Sequence, residues 1–271
     1  MNRPIHCLGP LVIEGIAFWS SRLPGWDIAR SVIRGEQPAP ATPSSRPAPA
    51  LLAPTERRRA PDTVAVALEV ASRACESAGL APAALPSVFA STHGDLAISD
   101  HMCSTLATAP TLISPIKFHN SVHNAAAGYW SIGTGSTAPY TAISAFHYTF
   151  AAGLLETAIQ VICCQQPVLY VAFDIESRGA LATVAPSRGL LGVALVLSLS
   201  PKNLSRRMTL HIQDGATATP AASPAAGLVA DNALAPCLPL FESLAKDQAA
   251  GIDLALSDNK ILSVTLDTVL G

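Results

Sequence analysis

The chain has 271 residues, of which 49% are hydrophobic and only 13% are charged, and its formal net charge is −2. A chain this apolar must bury much of its surface, either in its own core or against another subunit. Apart from Arg57-Arg58-Arg59 it has no block of basic residues. The concentrated positive field that nucleic-acid binding requires is therefore missing.

The best candidate for a membrane span, residues 150–164, is shorter than the roughly 20 apolar residues that a bilayer requires. It also carries Glu156 and Gln160, and Glu14 interrupts the apolar stretch near the start of the chain. The six cysteines have no CxxC spacing and fall mostly in apolar runs, which predicts buried thiols in a reducing compartment. The sequence therefore predicts a cytoplasmic protein without a membrane span.

The first half of the chain alternates predicted strands and helices. In chain order, a buried strand, a short helix, an amphipathic helix, a short strand and a further helix are predicted at residues 11–19, 26–34, 62–79, 87–91 and 98–108. A proline- and alanine-rich loop, residues 36–54, separates the two earlier helices.

The second half continues the alternation. A buried helix with Gly128 at a close contact, a strand, a nearly fully buried helix and two continuously apolar strands are predicted at residues 125–132, 140–145, 150–163, 168–174 and 190–199. Beyond residue 200 the pattern weakens to a loop, a helix and a strand, at residues 215–236, 238–248 and 261–267. This order predicts an α/β layered fold with a mixed sheet covered by helices.

Two histidines and two asparagines cluster in the segment His119-Asn120-Ser121-Val122-His123-Asn124. Histidines four residues apart share a helix face and could bind zinc, but no HExxH pattern supplies further ligands. We therefore expect no metal and no cofactor, and interpret the cluster as hydrogen-bonding framework.

A sharp strand-to-helix turn is predicted at residues 142–147, where an exposed side chain would lie beside the positive N-terminus of the next helix. Ser144 is the only hydroxyl or thiol in this stretch, and it lacks the flanking glycines of a GxSxG elbow. A serine that ends a buried strand is the simpler interpretation. The adjacent Cys163 and Cys164 suit neither a disulfide nor a metal site, and Gly133-Thr134-Gly135 is too short for a phosphate loop.

Three phrases of the chain resemble the N-terminal half of β-ketoacyl-ACP synthases: VFASTHGD at 88–95, SPIKFHNSVHNAAAGYWSI at 114–132 and FAAGLLETA at 150–158. More closely, they resemble the small synthase-like proteins found beside complete synthases in bacterial aryl polyene and xanthomonadin-type pigment pathways. The resemblance implies a thiolase-like layered fold of half length. It also implies that residues 124–128 and the strand 140–145 lie at a subunit interface beside an acyl pocket.

The chain departs from this family where synthases carry out catalysis. A ketoacyl synthase needs a cysteine at the elbow to hold the acyl chain as a thioester, and no cysteine lies between Cys103 and Cys163. Counting without gaps from Gly128 places His147 at that position, and a small shift in register places Ser144 or Phe146 there. No HGTGT-like or NSFGFGG-like motif occurs, so the chain should not condense acyl groups alone.

The leading hypothesis is a non-catalytic subunit resembling a chain-length factor, which heterodimerises with a complete β-ketoacyl-ACP synthase and meets acyl carrier protein only indirectly. The interface and acyl-tunnel residues would be His119, Asn120, His123, Asn124, Tyr140, Ser144, Phe146 and Tyr148. The alternatives are an acyltransferase or thioesterase using Ser144 with His147 or His123, and a homodimeric scaffold. Residues 1–200, including the loop 36–54, would form the synthase-like domain, and residues 201–271 a C-terminal extension packed on it.

Overall fold

A computed structural model of the chain describes residues 7–199, 206–217 and 223–267. Within these ranges eight strands form one sheet: β1 Cys7–Ser20, β2 Ser87–Ala90, β3 Tyr140–Ile143, β4 Val168–Asp174, β5 Leu191–Ser198, β6 Arg206–Asp214, β7 Ala250–Ser257 and β8 Lys260–Leu266. The helices are α1 Trp26–Ile33, α2 Pro54–Arg59, α3 Asp62–Ala78, α4 Leu96–Thr108, α5 Pro115–Ser121, α6 Ala125–Thr134, α7 Thr149–Cys164, α8 Pro224–Val229 and α9 Leu238–Lys246.

The strand order is β3-β2-β4-β5-β1-β6-β8-β7, so β3 and β7 are the edge strands. The strands β3, β2 and β4 run parallel, and every other neighbouring pair is antiparallel. The sheet is therefore mixed, and the predicted α/β layered fold is confirmed.

Helices cover both faces of the central strands. One apolar cluster packs α1, α7, α8 and α9 against the sheet, and the other packs α3 and α6 against its opposite face. The strands β4 and β5 are buried at every position because both of their faces are covered. In the outer strand β6, Met208 and Leu210 are buried while Arg207 is exposed, since only one face there meets helices.

Most predicted elements of the first 200 residues are confirmed within a few residues. Beyond them the sequence missed β6 and β7, and α8 with a short 3₁₀ turn lies within the predicted loop 215–236, whose residues 218–222 fall outside the described chain. The short helices α2 and α5 were also not predicted. No described helix is both long and apolar enough to cross a bilayer.

Three predictions about burial were wrong. Of the six cysteines only Cys75 and Cys237 are buried. The helix α7 leaves Ile159 and both terminal cysteines exposed, and on α6 Ile132 is 79% exposed. A Cβ added to Gly128 would meet nothing within 4 Å, so this glycine makes no close contact within the chain. At Ile132 and Ile159 the cause is that apolar residues also occupy a surface of this chain that no described element covers.

Candidate functional site

The three parallel strands bring their carboxyl ends to the same edge of the sheet, where α/β proteins commonly bind ligands. The loop 91–94 follows β2, the elbow 144–148 follows β3, and Asp174 is the last residue of β4. The functional residues predicted at the elbow therefore lie beside a loop and a carboxylate that the sequence analysis did not select.

The elbow turns the chain from β3 into α7 through a short 3₁₀ turn, Phe146–Tyr148. Phe146 has a φ of 52°, a left-handed conformation that is unusual for a bulky side chain. The buried Thr149 hydroxyl stabilises the turn, since it accepts from the Ala145 backbone N–H at 3.0 Å and donates to the Phe146 carbonyl at 2.7 Å. Of the three candidates for the nucleophile position, only Phe146 has this strained backbone, which is typical of functional elbows.

Ser144 is placed before the turn and makes no hydrogen bond to a histidine. Its hydroxyl donates to the Thr92 carbonyl oxygen at 2.9 Å. A serine nucleophile needs a base within hydrogen-bonding reach. The structure therefore does not assemble the Ser-His pair that the acyltransferase or thioesterase alternative requires.

His93, His123 and His147 lie close together at this edge of the sheet. The His123 Nε2 atom is 2.8 Å from the Ser91 carbonyl oxygen, and the His93 ring centre is 6.2 Å from that of Phe146. Burial, and then the neighbouring His147 and His123, lower the pKa of His93. His93 is therefore a neutral ring at neutral pH, part of the wall around the elbow.

The segment 119–124 connects α5, α6 and β3. The buried Asn120 accepts a hydrogen bond from the Tyr129 hydroxyl at 3.1 Å, and the His119 ring packs edge-on against Tyr129 at 5.6 Å. Asn124 donates to the Tyr140 hydroxyl at 3.2 Å. These contacts hold the segment against its neighbouring elements. Burial raises the pKa of the Tyr129 hydroxyl.

His119 and His123 do not share a helix face, because His119 belongs to α5 and His123 lies in the turn before α6. Across the described ranges, no three histidine, cysteine, aspartate or glutamate side chains are grouped so that they could hold a metal ion.

Among the described strands β3 has one neighbour, β2, so its outer edge is unpaired there. Ser87 N–H donates to the Pro139 carbonyl and Ser91 N–H to the Ile143 carbonyl, so alternate residues of β3 face β2. The backbone groups of Tyr140 and Ala142 consequently point away from the sheet. Such an edge is a template for pairing with another strand.

Exposed apolar side chains lie on β3 and on elements that precede and follow it in the chain. In the described part of the chain, every exposed large apolar residue lies between positions 106 and 184: Leu106, Leu112, Ile116, Phe118, Val122, Ile132, Tyr140, Phe146, Ile159, Leu181 and Val184. We call this set the apolar face. Single exposed apolar residues are ordinary, whereas a contiguous exposed apolar patch is a common feature of interaction surfaces.

A cavity of about 970 Å³ opens on the other side of the elbow. His147 lines one wall, and the rest combines apolar residues such as Leu238 and Leu254 with charged residues such as Arg188 and Glu242. Tyr148, next to His147, donates a hydrogen bond from its hydroxyl to Asp258, in the turn between β7 and β8. The elbow thus separates this cavity from the apolar face.

The sequence analysis missed Thr92, His93, Thr149 and Asp174. Asp174 carried a usable signal, because a carboxylate that ends a continuously apolar strand is expected at the edge where the site lies. The other three are small or polar residues whose roles depend on the tertiary contacts, and no local pattern indicates them.

The model of the β-ketoacyl synthase N-terminal domain family matches residues 33–252. No curated protein matches the chain. Among solved structures, a ketosynthase in complex with its chain length factor from Xenorhabdus doucetiae aligns with a TM-score of 0.72 and 18% identity, covering 95% of this chain and 99% of that one. The ishigamide ketosynthase/chain length factor aligns with a TM-score of 0.71 and 13% identity, covering 97% of this chain and 100% of that one.

A type II polyketide synthase acyl carrier protein in complex with its ketosynthase aligns with a TM-score of 0.75 and 10% identity, covering 97% of this chain and 100% of that one. At these identities the solved structures establish the fold, which is thiolase-like. Together with the match along most of the chain, they show that this protein belongs to the β-ketoacyl synthase N-terminal domain family. Its elbow, residues 144–148, contains no cysteine.

Proposed function

We propose that the protein is a non-catalytic, ketosynthase-like subunit that heterodimerises with a complete β-ketoacyl-ACP synthase and shapes the acyl tunnel of the pair. The product would be a polyene or another fatty-acid-type chain, and acyl carrier protein would be an indirect partner. The observation that carries this proposal is the unpaired edge of β3 together with the apolar face.

The exposure of this surface supports the presence of a partner subunit. Ile132 is 79% and Leu112 is 75% exposed, although both are large aliphatic residues. Permanent subunit interfaces resemble a domain core cut in half, with aromatic and aliphatic side chains at their centre. A partner that adds a strand to β3 would satisfy the edge and cover these side chains in one step.

The elbow supports a non-catalytic role within the pair. Phe146, His147 and Ser144 offer no thiolate, so the elbow cannot hold an acyl group as the thioester that condensation requires. Phe146 is a large aromatic side chain on a fixed backbone, 42% exposed at the margin of the apolar face. A rigid ring at this position can block the end of an acyl tunnel, but it has no group that could act as a nucleophile, acid or base.

Two similar structures contain a ketosynthase and a chain length factor, which favours a pairing of the same kind. We retain the division of the chain into a synthase-like domain, residues 1–200, and an extension, residues 201–271, that packs on it. The pairing of β6 with β1 in one sheet favours this arrangement. The free thiols of Cys163 and Cys164 suit a cytoplasmic protein.

The proposal is tested by co-expressing a tagged form with the ketosynthase encoded nearest to it and measuring the mass of the purified complex. A one-to-one complex is expected. The variant Ala142→Pro removes an N–H that points away from the sheet, so it should abolish pairing while leaving the bonds between β2 and β3 intact.

The matched control is Ala142→Val, which is close to proline in size and keeps the N–H, and it should retain the complex. Circular dichroism of both variants shows whether the fold survives. A stable homodimer that binds no ketosynthase would contradict the proposal. So would an Ala142→Pro variant that binds the ketosynthase as tightly as Ala142→Val does.

A further inference from the structure

Asp174 is an acidic residue in the interior, 1% exposed, at the end of β4. Its Oδ1 atom accepts from the Ser91 hydroxyl and from the Thr92 backbone N–H, both at 2.9 Å, and its Oδ2 atom accepts from the Thr92 hydroxyl at 2.7 Å. Within the described residues no lysine, arginine or histidine forms an ion pair with it. The carboxylate is held entirely by the loop 91–94.

The same loop makes two further contacts on its opposite side. The Thr92 carbonyl accepts from the Ser144 hydroxyl of the elbow at 2.9 Å. The Ser91 carbonyl oxygen lies 2.8 Å from the His123 Nε2 atom, in the turn between α5 and α6. Ser91 also accepts from the Gly94 N–H at 2.9 Å through its hydroxyl, which closes the loop on itself.

These contacts form a chain from the interior to the surface. Asp174 fixes Ser91 and Thr92, Thr92 fixes the elbow that carries Phe146, and Ser91 fixes the turn that begins α6. The elbow and this turn both border the apolar face, at Phe146 and Val122.

We propose that Asp174 is a positioning residue, whose carboxylate holds the loop 91–94 so that the loop sets the geometry of both the elbow and the α5–α6 turn. The consequence for the partner rests on the proposed function: without the carboxylate the apolar face loses its preformed shape, and the ketosynthase binds more weakly. The inference about the chain itself needs no partner.

A purely stabilising role predicts different behaviour. A buried, unpaired carboxylate is costly to keep ionised, so removing its charge should leave the global stability unchanged or higher. A residue that only supports the core would instead lower the stability everywhere when replaced. Faster local exchange without a loss of global stability would therefore identify a positioning role.

The burial of Asp174 also affects its ionisation. Burial raises the pKa of Asp174 to about 6, opposed by the hydrogen bonds from Thr92 and Ser91 and from the backbone N–H of His93. The titratable side chains that face it are Tyr170 on β4 and Cys237 before α9. Burial raises the pKa of both, so both are neutral near pH 7.

The experiment is hydrogen–deuterium exchange on the isolated protein and on its Asp174→Asn variant, followed by the affinity of each for the ketosynthase. Asparagine keeps the shape of aspartate, but its amide nitrogen cannot accept from Thr92. Loss of hydrogen bonds to a charged group should speed exchange about tenfold in segments 91–95, 122–125 and 144–148, and leave β5 and β8 unchanged.

The matched control is Asp253→Asn, which removes the same charge from an exposed position on β7. It should leave exchange at all three segments unchanged. If Asp174→Asn does not fold, Thr92→Val removes only the hydroxyl donor to Oδ2 and should give a smaller loosening of the same segments.

Unchanged exchange in Asp174→Asn, or faster exchange throughout the sheet, would overturn the positioning role whatever the ketosynthase does. Faster exchange confined to the three segments supports the role. If the wild type then binds no ketosynthase, the proposed function fails while the positioning role stands, so the two failures are distinguishable.

Discussion

The Ser144 hydroxyl donates its hydrogen bond to the Thr92 carbonyl oxygen, 2.9 Å away. That bond occupies the only proton that a base would have to remove. His123 is also engaged, at the Ser91 carbonyl. The Ser144 hydroxyl therefore holds the loop 91–94 in place, and no base is positioned to activate its oxygen.

The first prediction concerns Ser144→Ala. The substitution removes one hydrogen bond to the loop and should lower the free energy of unfolding by about 1 kcal/mol. The output of the proposed pair, measured as total polyene or acyl product, should stay within about twofold of the wild type, since no chemistry depends on the hydroxyl.

The control for Ser144→Ala is Ser243→Ala, which removes a hydroxyl bond to the Pro239 carbonyl within α9. Neither variant should lower the amount of product. A Ser144→Ala protein that binds its partner normally yet loses nearly all product would revive the acyltransferase or thioesterase hypothesis.

The second prediction separates the side chain of Phe146 from its backbone. If the ring ends the acyl tunnel, Phe146→Ala and Phe146→Gly should both lengthen the products. Only glycine adopts the left-handed backbone without strain. The free energy of unfolding of Phe146→Gly should therefore be about 1 kcal/mol higher than that of Phe146→Ala. Mass spectrometry of the products and urea titration measure the two effects.

Ile132→Ala is the control for the Phe146 variants, because it removes another large residue of the apolar face away from the elbow. It should weaken partner binding without changing chain length. An unchanged product distribution in both Phe146 variants would argue against a gating role.

The central strands were predictable because both of their faces are covered. Burial at every position gives β4 and β5 the continuous apolar runs seen in the sequence. The strands β6 and β7 were missed because helices cover only one of their faces, so polar residues such as Arg207 and Asp253 alternate with buried ones. That alternation is itself a strand pattern, but it is short and flanked by loop-forming residues.

The candidate site was predictable only in outline. Gapless counting placed His147 at the elbow, with Ser144 and Phe146 as alternatives, and the backbone conformation that favours Phe146 is set by the turn into α7. The apolar face was interpreted as buried core at Ile132 and Ile159, since periodicity reports apolar residues and not what covers them. The sequence shows that Asp174 is a polar residue at the end of a strand. It does not show the hydrogen-bond partners of Asp174, which lie in a loop more than 80 positions earlier.

The third prediction concerns the packing of α7 on the sheet. A Cβ at Gly153 would lie 2.7 Å from a ring carbon of Tyr170 and 2.9 Å from the Ala90 Cβ atom. Both neighbours are buried on the sheet and cannot move freely. Gly153→Ala should therefore lower the free energy of unfolding by about 1–3 kcal/mol, measured by urea titration.

Gly128→Ala is the matched control for Gly153→Ala. Gly128 also lies inside a helix, but a Cβ there meets no atom within 4 Å. Alanine should stabilise the isolated chain by up to about 1 kcal/mol because it favours the helix more than glycine does. Equal effects at the two positions would show that helix propensity, and not contact with Tyr170, decides the outcome.

The last prediction is the pH dependence of stability that Asp174 imposes. Burial raises the pKa of its carboxyl from 3.8 to about 6, so the native state holds this proton more tightly than the unfolded chain does. Its contribution to the free energy of unfolding is therefore greatest below about pH 4, falls as the pH rises to about 6, and is constant above that. The Asp174→Asn variant cannot ionise and should lack this fall.

Urea titrations between about pH 4 and 7 measure the free energy of unfolding of each protein. The difference between Asp174→Asn and the wild type should shift in favour of the variant as the pH rises, whereas the difference between Asp253→Asn and the wild type should stay constant. Parallel curves for all three proteins would mean that the native and unfolded states bind this proton equally, contrary to the burial of the carboxyl.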